Sequence, residues 1–339
     1  MKRKKLLIIF GVLILAAGFW AYQRYLKPNV TSFEGTRYLY VPTGATINQV
    51  MDSLRHNKLI LNPESFAAMA SSMGLDKTIQ PGRYQMEPGM SNFKLIRMLR
   101  SGRQSPVKLV LNKLRTPQQI IAKLSTQLEP DSTDFARLFQ DSIFLKSYQI
   151  NANQIQVLFM PNTYELYWNT PAQKAVEKIA KSYVAFWNTE RKSKAAALGL
   201  TTPQVITVAS IIEEETNKND EKPRIASVYL NRYKIGMYLG ADPTVKYAVG
   251  NFALKRITGE HTGVSSPYNT YLNPGLPPGP ICTPSKESIE AVLNPEQTRY
   301  LFFCAKEDFS GYHNFATTYA EHQKNAQRYH QALNARKIR

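Results

Sequence analysis

From Leu6 to Gln23 the chain carries no charge, and four basic residues, Lys2, Arg3, Lys4 and Lys5, stand immediately before that run. The run is eighteen residues long, with Trp20 and Tyr22 near its far end. Length, apolarity and the aromatic edge predict a transmembrane helix over residues 6–23, with residues 1–5 as a cytoplasmic tail. Leu15-Ala16-Ala17-Gly18 also fits a signal-peptide cleavage region, so a retained anchor is the favoured reading and a cleaved leader the alternative. In either case the bulk of the chain is expected outside the cytoplasm.

Past a polar connection at residues 24–35 the pattern shortens to strand period and then lengthens to helix period. Arg37-Tyr38-Leu39-Tyr40-Val41 alternates as a strand, Pro42-Thr43-Gly44 turns, and Thr46 with Gln49 forms a capping-box pattern. Val50, Met51 and Leu54 give that helix its apolar face. The same unit recurs from Arg83 through Pro88-Gly89 to Ser91, Leu95, Met98 and Leu99. A shorter echo runs from Val107–Leu111 to Thr116-Pro117, Ile120 and Leu124. Three uneven copies are too few for a solenoid. They predict a small α+β domain over residues 36–110.

Residues 111–339 predict a larger mixed α+β domain. A helix starts at Thr170-Pro171, with Val176, Ile179, Ala180, Tyr183, Val184 and Trp187 on one stripe. Before it, Leu158–Trp168 is too dense in aromatics for a solvent loop. Another helix is expected from Pro223 to Tyr233, a buried strand over Tyr300–Ala305, and a final helix containing His322 and Tyr329. Residues 238–281, rich in Gly, Pro, Asn and Tyr, read as ordered irregular loops of the kind that line a site. The fold class is therefore α+β: a membrane helix, a small domain and a larger one.

One helix carries candidate chemistry. Thr202 is read as its cap and Pro203 as its first-turn proline, and Val205, Val208, Ala209 and Ile212 share a face flanked by Ile206 and Ile211. Glu213, Glu214 and Glu215 close it. At about 100° per residue, Glu214 points roughly opposite the apolar centre, Glu213 about 90° from it and Glu215 about 70°. Glu214 is thus expected in solvent, while Glu215 is the best candidate for a desolvated acid and Glu213 a close second. A frayed acidic helix end is the plain alternative.

The 339 residues carry a net charge of +18, and +14 remains once Lys2–Lys5 are removed. That excess suggests an anionic partner. Export argues against nucleic acid and for an acidic wall polymer or lipid headgroups. Cys282 and Cys304 are too few for a disulfide scaffold and are read as buried free thiols, with a single bridge left open. His56, His261, His313, His322 and His330 form no metal-ligand spacing, there is no G-x-S-x-G elbow, and no cofactor is implied. Ser91-x-x-Lys94 lacks a K-T-G partner and reads as a helix cap. What remains is carboxylate acid–base chemistry in a cleft of aromatics and amides, the usual form of a glycan-cleaving site.

In this order, Ala209–Thr216, Val228-Tyr229-Leu230-Asn231-Arg232, Ala241–Tyr247, Ser266–Tyr271 and Gly275–Ile281 resemble successive motifs of the endolytic murein transglycosylases, the YceG-like family. Met160–Glu165 and His313-Asn314-Phe315 are similar to it as well. The resemblance implies that residues 36–110 are LysM-like and that residues 111–339 form the catalytic domain. It places the catalytic glutamate on Glu215, the last position of an E-x-E-T motif. Glu214 stands where relatives commonly carry lysine, and Asn162 where they often carry aspartate. Asn231, Arg232, Asp242, Thr244, Tyr268 and Asn269 become candidates for binding sugars. Arg232 could instead pair with Glu213 or Asp220. The implied protein is a single-pass inner-membrane enzyme, its catalytic domain periplasmic, cutting nascent peptidoglycan without hydrolysis, in the company of peptidoglycan synthases. A hydrolytic muramidase and a non-catalytic wall-binding scaffold are the alternatives.

Overall fold

The computed structural model describes residues 2–254 and 256–336, so Met1 of the expected tail and the last three residues of the expected second domain lie outside the described residues. Lys2–Ala21 is one helix, prolonged by a wider π-helical turn at Tyr22–Leu26. Leu7–Leu26 is long and apolar enough to cross a bilayer, and almost all of it is exposed, Leu15 at 74%. An apolar helix with no protein covering it is compatible with a single-pass anchor.

By contact the chain divides into two units. The first takes residues 1–108, 127–130 and 165–171. Its antiparallel pair, β1 (Arg37–Val41) and β2 (Gly82–Met86), sets Leu39 opposite Tyr84. Helices Ile47–His56 and Asn92–Ser101 form where expected, each held by its cap. Thr46 and Gln49 close a full capping box, and the Ser91 hydroxyl accepts from the Lys94 amide. The helix Pro63–Ser72, unexpected from the repeat, is capped by Asn62 and buries Phe66, Met69 and Ala70 in the same core. The connection is not free chain either. The Asn29 and Val30 amides both donate to the Met90 carbonyl, and the buried Asn29 side chain donates to the Asn62 carbonyl (2.9 Å) and Asn92 Oδ1 (2.7 Å). A buried amide needs such partners, which ties residues 28–31 into the unit.

β3 (Val107–Leu111) and β4 (Asn162–Leu166) make a second two-stranded sheet. The third repeat echo therefore pairs with the aromatic-rich stretch and not with its own relatives, and the three copies do not stack.

The second unit comprises residues 109–126, 131–164 and 172–339. Its central helix, Thr202–Glu215, is buried at every position from Val205 to Ile212 and packs against helices Lys222–Lys234 and Lys286–Leu293. The hairpin of β5 (Phe302–Ala305) and β6 (His313–Ala316) carries the last helix, Tyr319–Ala335. β5 is half-buried throughout, against the expectation of a buried strand, because a two-stranded sheet covers only part of its surface. Residues 238–281 are not all loop: Pro243 sits in the first turn of a helix, Asp242–Val249. Both cysteines are free, Cys282 buried but Cys304 only half-buried.

One glycine in this unit is dictated by space. A Cβ on Gly279 would lie 1.9 Å from the Asn153 carbonyl oxygen, a backbone atom that cannot swing aside. Gly279→Ala is expected to cost about 1–3 kcal/mol, read as a lowered Tm of the full chain.

Candidate active site

The phase of the central helix is set at its start. Thr201, one residue earlier than expected, is the cap: its hydroxyl accepts from the Gln204 amide, and the Gln204 side chain reaches back. Twelve to fourteen residues later the three glutamates splay into three surroundings. Glu213 meets the buried ammonium of Lys222 at 3.2 Å and accepts from the Ser285 hydroxyl at 2.6 Å and that of Ser288 at 2.5 Å. Burial works against its charge, yet the two serines and Lys222 hold the carboxyl below its ordinary value. Glu214 turns away, as the wheel indicates, but not into solvent. Lys113 at 3.1 Å and Arg115 at 3.0 Å cover it, leaving its side chain 15% exposed. The wheel could not foresee a segment about a hundred positions upstream folding over that side.

Glu215 receives no such cation. It lines a cavity of about 250 Å³ together with Tyr229 and Arg232 of the next helix, Asp242, Tyr271 and His313. The Tyr229 hydroxyl, on a residue only 2% exposed, donates to Glu215 Oε1 at 2.5 Å. Oε2 makes no hydrogen bond among the described residues. Burial is the largest influence on this carboxyl and pushes it up. The Tyr229 bond pulls it down, the Asp242 carboxylate adds to the rise, and Lys246 and Arg232 oppose it. The outcome is a pKa raised to about 7.

The walls are as ordered as the floor. Arg232 donates Nε to the Leu301 carbonyl and Nη1 to that of Leu239, both at 2.5 Å, and pairs with neither Glu213 nor Asp220. Asp242 Oδ1 accepts the Tyr271 hydroxyl at 2.6 Å. His313 is clamped by the buried Glu221, which accepts its backbone amide at 2.8 Å and faces its Nδ1 at 2.7 Å. Phe303 sets an edge-on ring against the imidazole.

Of the residues singled out from sequence, Glu215, Arg232 and Asp242 are brought together here, and four are not. Asn231 donates its amide to the Thr298 and Tyr300 carbonyls, at 3.0 Å each, and fixes the segment leading to β5. Thr244 is fully buried and bonds the Ala241 carbonyl and the Thr270 hydroxyl. Asn269, also fully buried, gives its amide to the Thr262 and Val264 carbonyls. Tyr268 lies in a different cavity, against Tyr247. Conversely Tyr229, Tyr271 and His313 were not singled out, although each stands inside a recognised motif. The motif marks the segment, and only the fold shows which member faces the acid. Among the described residues no cluster of three His, Cys, Asp or Glu side chains could hold a metal ion.

A half-buried carboxyl with a raised pKa, in a polar and aromatic cavity, has the properties that general acid–base chemistry requires, on a mixed helix-and-strand fold. The profile of the YceG-like family matches residues 39–328, and the chain belongs to that family. An endolytic murein transglycosylase of Bacillus subtilis is 29% identical, covering 94% of this chain and 91% of its own length. One from Streptococcus pneumoniae is 25% identical over 94% of this chain, which spans 63% of that longer protein. The crystal structure of a YceG-like protein from Listeria monocytogenes, 27% identical, superposes with a TM-score of 0.56 over 86% of this chain and 99% of its own.

The raised acid has a cost in stability with a definite sign. Near pH 4 Glu215 is protonated folded and unfolded alike; near pH 8 it is ionised in both, and the fold disfavours that charge. Glu215→Gln should therefore stabilise the chain by about 3 kcal/mol near pH 8 and leave it unchanged near pH 4, as measured by denaturant unfolding at the two pH values.

Proposed function

We propose that the chain is a membrane-anchored endolytic transglycosylase of peptidoglycan in which Glu215 acts first as acid and then as base. The observation that carries this reading is the Glu215 carboxyl in the cavity, raised to about 7 and so substantially protonated at neutral pH. The names of the relatives support the substrate. With Oε1 engaged by Tyr229, Oε2 is the oxygen left to hold the proton.

Oε2 gives that proton to the glycosidic oxygen between N-acetylmuramic acid and N-acetylglucosamine, and the bond to muramyl C1 breaks. The carboxylate then takes the proton of the muramyl C6 hydroxyl while O6 closes on C1. A 1,6-anhydro ring forms, no water enters, and Glu215 ends protonated as it began. Positive charge developing at C1 is stabilised by the Asp242 carboxylate in the same cavity and by the substrate's own N-acetyl group. Arg232, held by two carbonyls, offers its charge to a lactyl or stem-peptide carboxylate. Asp242 also gives a hydrolytic reading its one specific support, since a hydrolase needs a second carboxyl.

An apolar N-terminal helix supports anchoring in the bilayer and, with it, a nascent-strand substrate in the company of synthases. The cluster Lys2–Lys5 supports a periplasmic orientation for the rest of the chain.

Product analysis on uncrosslinked glycan tests the reading. The full chain should yield ends one water lighter than reducing ends, and Glu215→Gln should lower the rate about 10³-fold or more. Reducing ends in their place would select the hydrolase, and unimpaired cleavage by Glu215→Gln would remove Glu215 from the chemistry. The acid must be protonated in the free enzyme, so kcat/KM should fall as pH rises through about 7. Tyr229→Phe deletes a bond that favours the carboxylate and should move that falling limb to higher pH.

A further inference from the structure

A second cavity, of about 420 Å³, lies in the same unit as Glu215. Tyr247 and Tyr268 form part of its wall, ring centroids 4.6 Å apart, and the exposed side chains of Gln118, Gln140 and Asn153 stand at its rim. Among the described residues, none of the side chains lining it is charged. In a chain of net charge +18 that is a distinctive composition. Aromatic faces with amides, and neither cation nor carboxylate, suit a neutral, hydroxyl-rich and amide-bearing ligand. They do not suit a stem peptide with its carboxylates.

Two chain segments lead from the first cavity to the second. Helix Asp242–Val249 begins with Asp242 beside Glu215 and carries Tyr247 five residues on, about 7.5 Å along its axis. The loop packed on it places Tyr271 against Asp242 and, three residues back, Tyr268 against Tyr247. The same two segments thus supply a facing pair to each cavity. Their register is locked from beneath by the buried Thr244–Thr270 hydroxyl contact at 2.9 Å and by the Ala241 amide, which donates to the Thr270 hydroxyl at 3.0 Å. Gly279, packed on the Asn153 backbone, fixes the rim.

We infer that this second cavity is a distal saccharide subsite, holding an uncharged N-acetylated sugar of the same strand whose scissile bond lies at Glu215. The inference rests on the peptidoglycan reading and deepens it. A strand gripped at a distance from the cut is cut inside its length, not at its end.

The test uses the full-length Glu215→Gln protein in detergent, which is expected to bind without cleaving, and peptide-free glycan fragments of one repeat or several. Long fragments should bind at least about tenfold tighter than short ones. Combining Gln118→Ala, Gln140→Ala and Asn153→Ala changes only exposed side chains and should reduce that advantage to about threefold or less. Tyr247→Ala should do the same, and short-fragment affinity, which reports the Glu215 cavity, shows that each variant is folded. If folded variants keep the whole length advantage, the subsite is overturned while the proposed activity stands. A length advantage that appears only when stem peptides are attached also overturns it. If the parent protein binds no glycan of any length, the peptidoglycan reading fails together with the subsite.

Discussion

The site depends on a carboxyl that, among the described residues, forms no direct ion pair. Three glutamates in succession end a helix whose dipole already disfavours negative charge there. Two of them are compensated from outside the helix, Glu213 by Lys222 and two serines, Glu214 by Lys113 and Arg115. The third faces a tyrosine hydroxyl and a second carboxylate, and the charges of Lys246 and Arg232 act on it without a direct ion pair among the described residues. The difference between a compensated anion and a carboxyl whose pKa is raised is here a rotation of about 100° per residue, transmitted from the Thr201 cap along a helix that cannot turn because its middle is buried. Deleting one residue between cap and carboxyls would move each glutamate into the surroundings of its predecessor, Glu215 into those of Glu214.

What was readable in the sequence was what is decided locally. The Thr46–Gln49 box, the Ser91 cap and the alternation at Arg37–Val41 each depend on residues within a few positions of one another, and each forms. The ranking of Glu215 as the most desolvated carboxyl followed from one helix alone. Partners far along the chain were not readable. The cover on Glu214 comes from Lys113 and Arg115, and the clamp on His313 from a glutamate 92 positions upstream. Thr244 and Asn269 carry the polar groups expected of sugar ligands, yet a Gly- and Pro-rich stretch leaves many backbone carbonyls without helix or sheet partners. Buried hydroxyls and amides are recruited to satisfy them. Polarity in a loop motif therefore does not distinguish a residue that meets substrate from one that holds the loop.

The first unit shows the same division between local and distant. Its strands and caps follow from short patterns, but the chain leaving the apolar helix is built into the unit and does not hang as a tether. Arg24 donates to the Ser72 hydroxyl at 2.9 Å, Tyr25 meets Phe93 edge-on, and Asn29 is locked among Asn62 and Asn92. Movement of the apolar helix relative to this unit would break those contacts.

The helix Asp242–Val249 has a consequence for evolution and engineering. Because it presents Asp242 to one cavity and Tyr247 to the other, it behaves as a gauge block between them. Side-chain substitution can blunt either end but cannot alter the spacing. A single inserted residue would swing Tyr247 by about 100° and lengthen the block by about 1.5 Å, separating the two ends at one stroke. Insertions and deletions, rather than point changes, are the mutations this stretch is least able to absorb.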